Sequence, residues 1–313
     1  MRSFLPILLL AAAGPLLAAT PNWRISDDEG RALVLAGPPQ RIVSLSPGAT
    51  AMLFAAGGGS RVVGTSEYSL EPAAAAQLPR ISDSHGFDLE RILSLHPDLV
   101  IAWADGASAA QLAPLERAGL TVYRHRVHRL DDLPAALERF GLLLGTSAVA
   151  GPEATALRVR IGALRERFRS GTGPRLLIQV WDRPVYTVGG SQLISDVAEA
   201  CGYRNVFADL PDAAPAVTLE AIAARDPEAI LAIAEDPHRA QDWLAGWRAL
   251  PALRAVRTGR LLAFVDARLS RLGPEVVAAA EDLCRVLAAP AARAAPAAPN
   301  APNAPEAVAP SPR

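Results

Sequence analysis

One pattern occurs twice in this chain. Leu89-Glu90-Arg91-Ile92-Leu93-Ser94-Leu95-His96-Pro97-Asp98-Leu99-Val100-Ile101-Ala102 returns as Leu219-Glu220-Ala221-Ile222-Ala223-Ala224-Arg225-Asp226-Pro227-Glu228-Ala229-Ile230-Leu231-Ala232. Each copy reads as a short amphipathic helix with a glutamate in its first turn, a proline that stops it, and an apolar run suited to a buried strand. A chain with this unit in each half is expected to fold as two similar α/β lobes with mostly parallel sheets. The space between such lobes is the default place to bind something.

Met1-Arg2, the apolar run 4–17 and Ala18-Ala19 have the charge, greasy core and small-residue end of a secretory signal peptide, placed at residues 1–19. The run is too short to span a membrane, and Gly14-Pro15 inside it oppose a buried helix. Export to the periplasm is therefore expected, and no cysteine follows the leader to carry a lipid anchor. In an oxidising compartment the two cysteines can pair. Cys201 and Cys284 lie on helical patterns at 195–202 and 274–287, so a disulfide would staple two helices of the second lobe; two separate buried thiols are the alternative. The far end, 289–313, is almost all Ala, Pro and Asn, a composition that cannot bury a core and reads as disordered. The formal net charge is −1 and every basic residue is arginine, so there is no basic surplus for nucleic acid.

Trp23-Arg24-Ile25-Ser26 and the apolar 31–35 flank Asp27-Asp28-Glu29-Gly30, which is hairpin chemistry. A strand at 41–45 runs into Ser46-Pro47-Gly48-Ala49-Thr50 and an apolar helix at 51–56, delivering backbone amides to a helix start, where open α/β sheets place ligands. Strands at 62–65, 99–103 and 120–123 complete an N-terminal lobe over 20–150. Residues 131–170 read as helix with a break at 141–147. The last segment starts near Pro152 and sets Leu157, Ile161, Leu164 and Phe168 on one face against arginines on the other. That segment, 151–170, is expected as a stiff helix joining the lobes, the alternative being an ordinary helix inside one domain. The C-terminal lobe, 171–288, repeats the plan with strands at 176–180, 206–207, 229–234 and 261–265 and helices at 193–201, 219–224, 239–249 and 275–287.

A catalytic reading finds little to stand on. Gly189-Gly190-Ser191-Gln192-Leu193 approaches a nucleophile elbow but lacks its last glycine, and the absence of lysine rules out a phosphate loop of the lysine type. His125 and His128 could be a metal pair, yet Arg124, Arg126 and Arg129 beside them would repel a cation. No enzyme and no metal are expected. What remains are Tyr68, Trp103, Trp181, Tyr186, Asp266, Arg268 and Arg271, all placed where strands end. Aromatic faces on both lobes favour a flat or bulky ligand, with Asp266 and the nearby arginines orienting it; a surface ion pair is the alternative for Asp266. Glu90 and Glu220 complement helix N-termini, and one per lobe at matching positions also suits a partner that is itself two-fold.

From about Arg41 to Leu287 the chain resembles the cobalamin-binding branch of the helical-backbone substrate-binding proteins, which serve ABC importers of siderophores, haem and corrinoids. The matching stretches are Arg41-Ile42-Val43-Ser44-Leu45-Ser46-Pro47, Asp88-Leu89-Glu90-Arg91-Ile92 through Pro97-Asp98-Leu99-Val100-Ile101-Ala102-Trp103, and Ala200-Cys201-Gly202-Tyr203-Arg204-Asn205-Val206-Phe207. The Trp103 ending and the paired Cys201 and Cys284 point to the cobalamin branch. The resemblance implies two α/β lobes joined by one long rigid helix, in a monomer whose cobalamin or related corrinoid is a transported ligand rather than a cofactor. It implies delivery to an ABC permease dimer with its ATPase subunits. By position, Tyr68, Trp103 and Tyr186 match cleft aromatics of the family. The loop Asp266, Ala267, Arg268, Leu269, Ser270, Arg271 matches its hydrogen-bonding loop, and Glu90 and Glu220 match glutamates that dock onto permease arginines. Departures are Ser84 and Ala214 in place of family tryptophans, Ala51 in place of a common glutamate, and a loop after Asp266 one residue longer. His85 is left as a stray candidate contact. Haem, with Tyr68 or His85 as axial ligand, and a ferric siderophore held by Arg268 and Arg271 are the rival ligands.

Overall fold

The computed structural model describes residues 23–83, 86–169 and 171–290. The leader at 1–19 and nearly all of the tail lie outside the described residues. The chain divides into two compact units, one of residues 1–126 with 134–155, the other of residues 127–133 with 156–313.

In the first unit, β1 (Trp23–Ser26) and β2 (Ala32–Leu35) form the expected antiparallel hairpin. A six-stranded sheet combines β3 (Ile42–Ser44), β4 (Val62–Ser66), β5 (Arg80–Asp83), β6 (Gly86–Phe87), β7 (Leu99–Trp103) and β8 (Val122–His125) in the order β6-β5-β4-β3-β7-β8. Every neighbouring pair is parallel except β5 with β6. Its connections include α1 (Pro47–Ala55), α2 (Leu89–Ser94) and α3 (Ala109–Arg117). Val43, Val100, Ala102, Ile92, Leu112 and Leu115 share one buried cluster, so helix and strand bury their apolar faces against each other.

The second unit holds β9 (Arg175–Gln179), β11 (Arg204–Asn205), β13 (Ala229–Ala234) and β14 (Leu261–Val265) in an all-parallel sheet of order β11-β9-β13-β14. A separate two-stranded ribbon pairs β10 (Val185–Tyr186) with β12 (Ala216–Val217). The helices are α6 (Leu193–Ala200), α7 (Leu219–Arg225), α8 (Pro237–Arg248), α9 (Arg254–Arg257), α10 (Arg268–Arg271) and α11 (Val276–Ala288). Cys201, at the end of α6, is bonded to Cys284 of α11.

The sequence echo survives in atomic detail. Asp88 and Thr218 cap α2 and α7 by accepting hydrogen bonds from Arg91 N and Ala221 N, and each helix has its glutamate one residue further on from the first helical position. After the helices, His96 and Asp226 both take positive φ, at 46° and 38°. Then Asp98 accepts the Arg41 N–H at 3.0 Å, and its counterpart Glu228 accepts the Arg175 N–H at 2.9 Å. Each carboxylate thus ties the start of its own strand to the start of the neighbouring one.

Several boundaries differ from the sequence reading. The apolar helix starts at Pro47, not Ala51, because the Ser46 hydroxyl caps it and Pro47 fits the first turn. The edge strand lies at Arg204–Asn205 rather than 206–207, since the Asn205 side chain accepts the Phe207 N–H and turns the chain. The expected break at 141–147 shrinks to two residues between α4 (Asp132–Leu144) and α5 (Ser147–Arg167). Gly141 stays helical because α5 approaches it there: a Cβ at Gly141 would stand 2.5 Å from the Cβ of Ala150. The long helix therefore starts five residues before Pro152, which removes one interior hydrogen bond on the exposed side of α5.

Candidate ligand site

In the first unit the parallel strands end in a buried net of hydroxyls. Thr50 Oγ1 lies 2.9 Å from Ser44 Oγ and 3.0 Å from Ser69 Oγ, and Ser69 Oγ lies 2.8 Å from Ser66 Oγ. Arg80 closes the net by donating to Thr65 Oγ1 and to the carbonyls of Ser66 and Ser69. These bonds pin both flanks of Tyr68, whose own side chain remains 60% exposed. Trp103, the last residue of β7, is half-buried under its own loop, where a Cβ on Gly106 would be 2.1 Å from the indole. Its Nε1 is buried without a partner among the described residues. Glu90 is exposed on α2, and Ala51 is buried in α1. Ser84 and His85 lie outside the described residues.

In the second unit four of the expected residues meet. Trp181, Asp266, Leu269 and Ser270 line one pocket of about 270 Å³ together with Val180, Ile194, Ile233, Ala234, Glu235, Arg239 and Trp243. Sequence reading missed Arg239 and Trp243. The available signal was a second helix start following a buried strand, since α8 begins three residues after β13 and carries both side chains. Trp181 is 49% exposed and lies at 6.3 Å, tilted, from Trp243, with the Arg239 guanidinium 5.4 Å over its ring. Fully buried Gln179 steadies this corner, accepting the Trp247 Nε1–H at 2.7 Å and donating to the Trp181 carbonyl at 3.3 Å.

Tyr186, Ala267, Arg268 and Arg271 do not line that pocket. Tyr186 instead exchanges backbone bonds with Val180 and Trp181 across a tight ribbon, half-buried. The Arg268 guanidinium is bound by Asp266 and Asp282, so neither it nor Asp266 is a free polar arm. That pairing holds the Asp266 carboxyl below the usual carboxylate range, against a smaller opposing effect of burial. Glu220 is exposed on α7; its own backbone N–H and the Thr218 hydroxyl hold its carboxyl low and keep it ionised. Ala214 lies exposed in the loop before β12.

His125 has a structural task. Its Nδ1 lies 2.9 Å from Asp28 Oδ2, and the same carboxylate accepts from Tyr123, Arg126 N and Arg139. Burial alone would raise the Asp28 pKa, but the bond and charge of His125, with the Tyr123 and Arg126 bonds, hold it far below the usual range. The neighbouring arginines are themselves paired, Arg124 with Glu29 and Glu116, Arg126 with Glu29 and Asp105. No cluster of His, Cys, Asp or Glu suited to a metal ion occurs among the described residues. Gly189 and Gly190 also have a packing explanation, since a Cβ on either would stand about 2.2 and 2.1 Å from the carbonyls of Asp212 and Ala208.

A family model for periplasmic binding proteins matches residues 42–265. The chain belongs to the periplasmic binding protein family. It is 32% identical over 250 residues to a vitamin B12-binding protein of Vibrio cholerae, a match covering 80% of this chain and 90% of the relative. The crystal structure of the periplasmic vitamin B12 binding protein of Vibrio cholerae superposes with a TM-score of 0.72 at 31% identity, covering 80% of this chain and 97% of that one. A periplasmic haem-binding protein of Roseiflexus sp. RS-1 gives a TM-score of 0.66 at 25% identity, covering 79% and 97%. As a periplasmic binding protein the chain has the α/β architecture of mostly parallel sheets that its helical-backbone relatives share, and its family works by binding rather than catalysis. Such proteins carry their ligand as cargo and not as a cofactor.

Proposed function

We propose that this chain is a periplasmic receptor that captures cobalamin or a related corrinoid and delivers it to an ABC permease dimer with its ATPase subunits. The similarity to vitamin B12-binding proteins along 80% of the chain carries this reading. In it, residues 1–19 are removed as a signal peptide and the mature monomer works in the periplasm. Tyr68 and Trp103 of the first unit and Trp181, Tyr186 and the 266–271 loop of the second are the ligand contacts. The hydrogen-bonded serines on either side of exposed Tyr68 and the aromatic pocket around Trp181 support those assignments.

Isothermal titration of the mature chain with cyanocobalamin and, separately, with haemin tests the reading. Saturable binding of cyanocobalamin without a Soret shift on adding haemin is the expected result. A haem complex with no response to cyanocobalamin contradicts it and selects the haem reading, for which exposed Tyr68 would be the axial ligand.

Glu90 and Glu220, exposed at matching places in the repeat, are the proposed docking knobs for permease arginines. Reversing both charges (Glu90→Arg with Glu220→Arg) abolishes uptake in cells while the titration stays unchanged. Undiminished uptake by the double variant rules the knobs out.

A further inference from the structure

The pocket around Trp181 has a chemistry more specific than a generic apolar shelf. Its volume, about 270 Å³, is below the roughly 300–1,000 Å³ of sites that enclose a drug-sized ligand, so it takes a fragment and not a macrocycle. Two indoles form its wall: Trp181, half open to solvent, and Trp243, 6% exposed and locked into the core. Ile194, Ile233 and Leu269 add apolar lining, which suits a flat ring. Exposed Arg239, also in the lining, forms no ion pair with any carboxylate among the described residues and instead covers the Trp181 ring. Arg268, near this corner, is neutralised by Asp266 and Asp282. Arg239 is thus an unspent cation beside an aromatic slot, with Glu235 the one unpaired carboxylate in the lining.

We propose that Trp181, Trp243 and Arg239 form a subsite for a flat aromatic base with a phosphate next to it, the nucleotide portion of a complete corrinoid. The inference rests on the corrinoid reading above and deepens it. The base stacks on the Trp181 face that Arg239 covers, and the displaced guanidinium bonds the phosphate. Gln179 serves as a positioning residue, because its bonds to the Trp247 indole and the Trp181 carbonyl fix the height of the slot. The subsite thereby distinguishes complete corrinoids from those lacking the base and phosphate.

The test compares two ligands. The mature chain and its variants Trp181→Ala and Arg239→Glu are titrated calorimetrically with cyanocobalamin and with cobinamide, a corrinoid that has neither base nor phosphate. Each variant loses about tenfold or more in affinity for cyanocobalamin, the scale of one aromatic stack or one charge-assisted hydrogen bond. Cobinamide affinity of the Arg239→Glu variant changes by less than about twofold, as for an exposed substitution remote from the contact, and this also reports that the variant is folded. Equal losses for both ligands in Arg239→Glu, or no loss for cyanocobalamin in either variant, overturn the subsite while the corrinoid reading stands. Failure of the unsubstituted chain to bind either corrinoid overturns both.

Discussion

Beside β8 of the first unit a single carboxylate, Asp28, accepts hydrogen bonds from Tyr123, Arg126 N and Arg139 and pairs with His125, with its own side chain only 4% exposed. In the second unit the end of α6 is tied to α11 by the Cys201–Cys284 disulfide. The first unit is fastened by a buried charge, the second by a covalent bond. Both devices hold a helix near a strand-rich core, yet they fail under different conditions: protons attack one, reductants the other.

The largest expected effect separates the two units directly. Replacing Cys201 and Cys284 together by serine frees a loop of 83 residues. In the chain-entropy model that costs about 4–5 kcal/mol of stability. Thermal unfolding with and without reductant measures it, and the loss should appear in hydrogen exchange of α6 and α11 before it reaches β8. Equal loosening of both units would break the contrast.

Next comes Asp28→Asn, which leaves Arg139 and His125 facing a neutral amide. Breaking a buried pair costs about 3 kcal/mol or more, read as a fall in the unfolding midpoint in urea. The pH dependence has a defined sign. Because the folded protein holds Asp28 below its ordinary value of 3.8, its contribution is full above that value and is lost as the pH falls through the depressed folded value. Acid should therefore destabilise the unsubstituted protein more than the Asp28→Asn variant, and identical acid curves would remove the carboxylate from the account of the first unit.

A smaller effect sharpens the comparison within the second unit. Gln179→Leu strands the buried Trp247 N–H and releases the Trp181 carbonyl, at a cost of about 1–3 kcal/mol. Tryptophan fluorescence should report a changed Trp181 environment, while the Asp28 region stays as it was. An unaltered spectrum and midpoint would show that Gln179 does not support the slot.

Much of this architecture was legible in the sequence because its causes are local. The repeat marked two helix–strand units through apolar spacing, a first-turn glutamate and a proline, and the structure adds matching N-caps at Asp88 and Thr218. The Cys201–Cys284 bridge was legible as one of two readings, since two thiols in an oxidising compartment can pair, and the structure selects it over two separate buried thiols. What was not legible depends on contacts distant in sequence. Nothing around residue 28 says that its carboxylate will meet His125 and Arg139, and nothing around Arg268 says that Asp282 will claim it. Gly141 looked like a break because a helical glycine is costly, whereas its missing Cβ is what admits Ala150. Trp181 was singled out by its strand end, but Trp243 and Arg239 joined it only through packing of α8.

Hydrogen-exchange mass spectrometry of the mature chain with and without saturating cyanocobalamin tests the receptor reading most directly. Protection is expected in the peptides that carry Tyr68, Trp103, Trp181 with Tyr186, and the 266–271 loop, with Arg239 and Trp243 following. A ligand-dependent pattern that leaves these segments unprotected, or no protection anywhere, would contradict it.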